Sequence, residues 1–352
     1  MKWIIREQQK KESEFNAGSK ARNDVDTILV NEGYKPLIAN SELDESQGTA
    51  KKVWLQFSRY NEWKKCIKML DVEDTIVIQY PVRNHTVLFG NVLKKAKKKD
   101  IRIIGIIHDL ESLRLAISET SPAISKIRFK YEELSALEYF DKIIVHNEYM
   151  KKAIHDFFNI PMDKMINLEI FDYLYKTNDS EERAIYGGPV LIAGNLDKNK
   201  CGYVYKLPDG VSFNLYGANY DETYHPKDNV YYKGKVKPDE LPGVLKGSFG
   251  LVWDGPSSAT CAGVFGKYLK YNNPHKASLY IAAGIPIIVW KESALADFVK
   301  NQGCGVCIES LDNLAEVLLH IDCDRYLRIQ HSVKKISSKI RNGYYLKQCF
   351  RE

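Results

Sequence analysis

Residues 272–290 read Asn272-Asn273-Pro274-His275-Lys276-Ala277-Ser278-Leu279-Tyr280-Ile281-Ala282-Ala283-Gly284-Ile285-Pro286-Ile287-Ile288-Val289-Trp290. Asn273 suits an N-cap and Pro274 the first helical position. Gly284 has the permissive backbone that closes a helix, and Ile287 to Trp290 is an unbroken apolar run. The stretch predicts a helix feeding a buried parallel strand. His275 and Lys276 fall in its first turn, where unpaired N–H groups and the positive end of the helix dipole favour an anion. Cations are ordinarily disfavoured there, so two basic-type side chains suggest a phosphate-bearing ligand. The alternative is that both face solvent and the helix is scaffold.

The same strand and helix alternation runs outward from this stretch. Val190 to Ala193, Ser212 to Tyr216 and Phe249 to Trp253 are apolar strands on its N-terminal side, with a short helix at Pro238 to Leu245, and Asp324 to Arg341 reads as a terminal helix. Upstream, Lys2 to Ile5, Lys35 to Ile38, Thr75 to Ile78, Ile101 to Ile107 and Lys142 to His146 read as strands. Helices at about 19–32, 52–70, 87–99 and 124–139 lie between them. Continuous apolar strands of this kind are buried on both faces by parallel sheets, and repeated βα units imply doubly wound domains. The polar segment Tyr175 to Arg183 reads as a linker. The expected division is therefore residues 1–178, 179–323 and a C-terminal helix, 324–352, packing back on the first domain. Ligands of open α/β sheets bind at strand C-terminal edges, here expected to face a shared cleft.

Bulk numbers agree with a globular protein. The 352 residues suit two cores, and 44% hydrophobic with 27% charged residues excludes a disordered chain. A net charge of +6 suits phosphorylated small molecules or an anionic membrane surface and is too dispersed to argue for nucleic acid. The apolar start Met1 to Ile5 is shorter than a signal-peptide core, no run is long enough to span a bilayer, and seven cysteines lack a disulfide-scaffold spacing. Residence in the cytoplasm, at most at the inner face of the membrane, is expected. Cys304 and Cys307 are read as buried strand residues.

Strand ends supply the candidate site residues. Gly194 and Asn195 followed by Lys198, Tyr216 with Gly217, and Trp253 with Asp254 together suggest a nucleotide pocket: aromatics over a base, glycine for close approach, lysine for phosphate. Gly255 to Asn272 is a long connection rich in small residues, of the length that often forms a binding loop or lid. His108, Asp109 and Glu111 follow a buried strand, where a general base would deprotonate an acceptor hydroxyl; the alternative is that Asp109 caps the next helix. Asn16-Ala17-Gly18-Ser19 opens the first helix and could bring backbone to a diphosphate. No acidic spacing calls for a metal, because helix dipole and lysine could balance a leaving diphosphate. The run Lys94 to Lys99 is a solvated helix end or, if functional, a contact for anionic lipid.

These pieces resemble one family, the bacterial GT-B glycosyltransferases that include β-1,6-galactofuranosyltransferases and the glucosyltransferases of serine-rich adhesin glycosylation. The resemblance spans nearly the whole chain. It lies chiefly in Gly18-Ser-Lys-Ala-Arg-Asn23, Ile107-His-Asp109, Ala193-Gly-Asn195, Gly250-Leu-Val-Trp253 and, above all, Pro274 to Pro286. It implies two Rossmann-like domains, a UDP-sugar on the second and a lipid-linked or protein-linked glycan acceptor on the first. By the resemblance Lys276 holds the diphosphate, Lys198 binds donor, Tyr216 lines the uridine, and Ala17, Gly18 and Ser19 close over the diphosphate; Asn273 and His275, beside Lys276 in the sequence, are read with it as donor-binding, His275 standing where the adhesin branch has an aromatic. Inversion is implied, with Asp109 the first choice of base and His108 the second. The expected reaction is transfer of a hexose, galactofuranose ahead of glucose, by a metal-independent enzyme that self-associates and binds no nucleic acid. Two other readings are a UDP-sugar epimerase, which would turn over without an acceptor, and a non-catalytic sugar-nucleotide-binding subunit.

Overall fold

A computed structural model describes residues 1–9, 17–41, 48–176, 183–224 and 227–351; for residues 8, 9, 17, 18, 41, 49 and 50 it describes the backbone alone. Asn16 and most of the expected linker, 177–182, lie outside the described residues. The chain forms two compact units. The first holds the described residues within 1–13, 25–168 and 349–352, the second those within 14–24 and 169–348.

In the first unit the strands are β1 (Lys2–Gln9), β2 (Lys35–Ser41), β3 (Thr75–Tyr80), β4 (Arg102–Ile107), β5 (Lys142–Val145) and β6 (Met165–Asn167). They pair in parallel in the order β2-β1-β3-β4-β5-β6. The helices between them are α1 (Ala17–Asn31), whose first turns belong to the second unit, α2 (Thr49–Lys68), α3 (Phe89–Lys97), α4 (Glu111–Ile117), α5 (Ala123–Leu137) and α6 (Glu148–Phe158). Ile76, Val77, Ile103, Ile106 and Ile143 are buried, as strands covered on both faces require.

The second unit repeats the plan. Its strands are β7 (Val190–Asn195), β8 (Phe213–Ala218), β9 (Val230–Tyr232), β10 (Phe249–Val252), β11 (Ile287–Trp290) and β12 (Gly305–Ile308). They are parallel in the order β12-β11-β10-β7-β8-β9. Helices α7 (Lys198–Cys201), α8 (Leu241–Val244), α9 (Gly263–Tyr268), α10 (His275–Ala282), α11 (Leu295–Gln302), α12 (Leu314–Leu319), α13 (Cys323–Arg341) and α14 (Tyr344–Cys349) complete it. α13 packs on α10, with Ser337 Oγ donating to the Ala282 carbonyl. Phe350 lies in the first unit, edge-on to Tyr34.

In the first sheet the chain starts at β1, lays β2 on one side as the edge and then crosses to the other, and in the second it starts at β7 near the middle, lays β8 and β9 to one side and then crosses. The order therefore reverses between β1 and β3 in the first sheet and between β7 and β10 in the second. Ligands of open α/β sheets sit beyond the strand C-termini at such a reversal.

Several local expectations are corrected. Helix α10 begins one residue later than the sequence suggested: Pro274 is the N-cap with an extended ψ of 139°, and the Asn273 amide donates to the Glu169 carbonyl instead of capping. The connection after β10 is not a structureless loop: it contains α9 and buries Cys261, Tyr268 and Leu269. Helix α1 begins at Ala17, two residues earlier than the sequence suggested, so residues 17–19 are its first turn.

Candidate functional site

The second sheet's reversal point is built by three strand ends and the start of α10. At the end of β10, Trp253 is fully buried and its Nε1–H donates to the Ser257 carbonyl at 2.9 Å, so the ring is core and does not lie open for a base. Asp254 follows it, also buried. Lys276, in the first turn of the apolar helix α10, places its Nζ 2.8 Å from Asp254 Oδ1 and 2.9 Å from the Trp253 carbonyl. Burial pulls the lysine pKa down, but the neighbouring Asp254 carboxylate outweighs it and holds the ammonium above the usual lysine range. An ammonium has three N–H donors, and these contacts use two.

Tyr280 ties α10 to the strand ends. Its hydroxyl accepts the Ala193 N–H at 2.7 Å, and its ring lies across Gly250, where an added Cβ would meet it at 2.1 Å. Gly194 and Gly217 pair at the ends of β7 and β8, and a Cβ on Gly217 would lie 1.7 Å from the Gly194 carbonyl oxygen. Only glycine permits that approach. Tyr216, next in line, is buried, and burial raises its pKa.

Farther along the same edge Asn195 Oδ1 accepts from the Asp197 N–H at 3.1 Å and Asn219 Nδ2 at 2.9 Å. Lys198 is 60% exposed, stands 5.1 Å over the Tyr205 ring and pairs with Asp221. The hydrogen bond from Lys198, with help from Thr223, draws Asp221 down to about 2.

His275 does not join this group. It is stacked on Tyr173 at 4.9 Å with Phe171 edge-on, and burial pushes its pKa down to about 4, so it is a neutral packing residue at neutral pH. Its Nε2 also lies 3.4 Å from the Asp172 carbonyl, so of the two basic-type side chains at the helix start only Lys276 brings a charge. Lys20, near Ser19 in α1, is likewise committed. Its Nζ contacts Asp24 at 2.7 Å, the Leu174 carbonyl at 2.8 Å and Asp239 at 2.9 Å. Ser19 is buried beside it in sequence, and at positions 17 and 18 the backbone alone is described.

In the first unit, His108 and Asp109 follow β4, next to the reversal point. His108 Nε2 lies 2.7 Å from Gln79 Oε1, and Gln79 Nε2 donates to Asp26 Oδ1 at 2.8 Å. Because the amide nitrogen of Gln79 is engaged as a donor, its oxygen accepts, which assigns the His108 proton to Nε2. Asp109 is 44% exposed, and Arg114 forks between it and Glu111, each at 2.8 Å. Asp109 does not cap α4. That task falls to Glu133 of α5, which accepts the Glu111 N–H at 2.6 Å together with the Ser112 N–H and hydroxyl. Burial pushes Glu133 up to about 7. Gln79, Asp26 and Glu133 were not singled out from the sequence, since each is a common polar residue whose partner is distant in the chain, and neither was Arg114, whose partners Asp109 and Glu111 are close by. Among the described residues no group of three or more His, Cys, Asp or Glu is placed to hold a metal ion.

Two family models cover the chain: the glucosyltransferase 3-like N-terminal domain matches residues 1–170 and the glucosyltransferase 3-like C-terminal domain residues 190–352. The chain is 33% identical over 293 residues to the beta-1,6-galactofuranosyltransferase WbbI of Escherichia coli (strain K12), covering 80% of each. It is 24% identical over 282 residues to glucosyltransferase 3 of Streptococcus gordonii, covering 78% of this chain and 77% of that one. Among solved structures, apo OtsA has a TM-score of 0.63 at 9% identity, covering 99% of this chain and 98% of that one. WaaG, a glycosyltransferase involved in lipopolysaccharide biosynthesis, has a TM-score of 0.54 at 12% identity, covering 98% of each. At these identities the two structures speak to fold alone, and the fold is GT-B. The chain belongs to the glucosyltransferase 3-like family and is a GT-B glycosyltransferase.

Proposed function

We propose that the protein transfers a hexose from a UDP-sugar to a glycan hydroxyl with inversion, in bacterial surface-polysaccharide or glycoprotein assembly. Galactofuranose is favoured over glucose, because the relative at 33% identity is a galactofuranosyltransferase and the one at 24% a glucosyltransferase. The observation that carries the reading is the Lys276 ammonium, held by Asp254 and the Trp253 carbonyl at the start of α10 and at the reversal point of the sheet. A diphosphate there would take the lysine's remaining donor and the N–H groups of the first helical turn. Lys198 and Asn195, on the same strand edge, would serve the donor as well, and no divalent ion is called for.

The first unit would bind the acceptor, lipid-linked or protein-linked. Asp109 takes the proton of the acceptor hydroxyl as that oxygen attacks the anomeric carbon; the bond from that carbon to the diphosphate oxygen breaks, and UDP leaves with the electron pair. Arg114 fixes the carboxylate's direction, and His108 is the second choice of base.

The test is UDP release from a panel of UDP-sugars with and without galactoside or N-acetylglucosaminyl acceptors, in buffer with and without EDTA. Acceptor-dependent release with one donor, unaffected by EDTA, is the expected result. Turnover of the sugar nucleotide without acceptor would replace the reading with an epimerase. UDP binding with no release from any donor would replace it with a non-catalytic subunit.

A further inference from the structure

Helix α2 buries Leu55, Trp63, Cys66 and Ile67 and turns a different chemistry outward. Positions 54, 57, 61, 64, 65 and 68 recur at helical spacing, so Trp54, Phe57, Asn61, Lys64, Lys65 and Lys68 share one stripe. Trp54 is 55% and Phe57 56% exposed, and the stripe frames a shallow groove of about 440 Å³. Large aromatics left in water on a helix whose other face already fills a core mark a contact surface.

The charge beside them has one sign. α2 carries six Lys or Arg and α3 three, against one acid, Glu62, which pairs with Lys65. The run Lys94 to Lys99 is divided in its use: Lys97 pairs with Asp141 and Lys99 donates to the Leu70 carbonyl beyond α2, whereas Lys94, Lys95 and Lys98 are exposed. Lys95 reaches Tyr60 of α2, which joins the two helices into one basic face.

We propose that this face of α2 and α3 docks on an anionic lipid bilayer. Trp54 and Phe57 enter the headgroup region while the lysines lie along its phosphates, as on interfacial helices with an aromatic and a basic side. Lysine, a compact and mobile point charge, suits a diffuse anionic surface. The one guanidinium of α2, Arg59, is turned to the His85 carbonyl, so the fork that a nucleic acid or a carboxylate would select is not offered. The proposal goes beyond the transfer reaction and does not depend on it.

Co-sedimentation of the full chain with vesicles of phosphatidylcholine alone, and of phosphatidylcholine with phosphatidylglycerol, tests it. The protein is expected to pellet with the anionic vesicles only and to be released as salt rises. Lys64→Glu with Lys65→Glu and Lys68→Glu should lower the partition coefficient by roughly 100-fold, each surface lysine being worth roughly fivefold. Trp54→Ala with Phe57→Ala should lower it severalfold. The same charge reversal at Lys235, Lys246 and Lys300 of the second unit should leave it near its starting value, and thermal melting checks that every variant is folded. Equal pelleting with neutral vesicles, or undiminished binding by the α2 variants, overturns the proposal. So does absence of vesicle binding alongside a self-association that Trp54→Ala with Phe57→Ala abolishes, which would give the face to a second copy of the chain.

Discussion

Lys276 does two things at once, and its substitution should separate them. As half of a buried ion pair it supports the second unit, and leaving Asp254 buried without it should cost about 3–5 kcal/mol. As the proposed diphosphate ligand it should contribute on the order of 1.5–3 kcal/mol to UDP binding. Lys276→Ala is therefore expected to lower both melting temperature and UDP affinity, and adding Asp254→Asn to restore much of the first while leaving the second low. Recovery of affinity together with stability, measured by calorimetry, would remove Lys276 from the phosphate site. Asp109 admits a cleaner test, since its carboxylate is half exposed and little packing depends on it. Asp109→Asn should reduce transfer at least ~100-fold with UDP affinity unchanged. Near-normal transfer would pass the role to His108.

At the scale of elements, capping explains both what the sequence revealed and what it concealed. Helix α10 and the strand after it were legible because Pro274, Gly284 and the run Ile287 to Trp290 punctuate the chain locally, and β3, β4, β7 and β10 were legible because parallel strands covered on both faces are continuous apolar runs. β6 and β9 are three residues long, too short to carry a period, and went unread. The cap of α4 could not be read at all, since Glu133 stands 22 residues from the N–H it accepts. Pairings such as Lys276 with Asp254, or His108 with Gln79, depend on where strands and helices end in space, which residue type does not disclose. Glu133→Ala should lower stability by about 1 kcal/mol, the usual worth of an N-terminal cap. Amide exchange should speed up at Glu111 and Ser112 first; uniform exchange along α4 would mean that packing, not the cap, holds the helix start.

For the whole molecule, the buried carboxyls set how stability varies with pH. Burial raises Asp24 to about 6, partly offset by Lys20, and raises Glu133 and Asp172 to about 7. Between their ordinary values and these, the native protein holds protons that the unfolded chain has released, so their contribution to stability falls as pH rises through that window. His146 and His275, pushed down to about 4 by burial, act in the opposite sense: the native state holds fewer protons than the unfolded one up to the ordinary histidine value of 6.5, and stability rises with pH. The two effects oppose each other below that value, and above it the carboxyls alone supply slope. Asp172 isolates the carboxyl term: its Oδ1 and Oδ2 accept the Tyr345 and Leu346 N–H groups, and an asparagine keeps one of these bonds through its amide oxygen while its NH2, a donor, loses the other at every pH. Asp172→Asn should therefore gain in melting temperature relative to the parent as pH is raised from about 5 to about 8, since the amide has no charge to bury. A difference that stays constant across that range would mean that Asp172 gives up its proton as easily in the folded protein as in the unfolded chain.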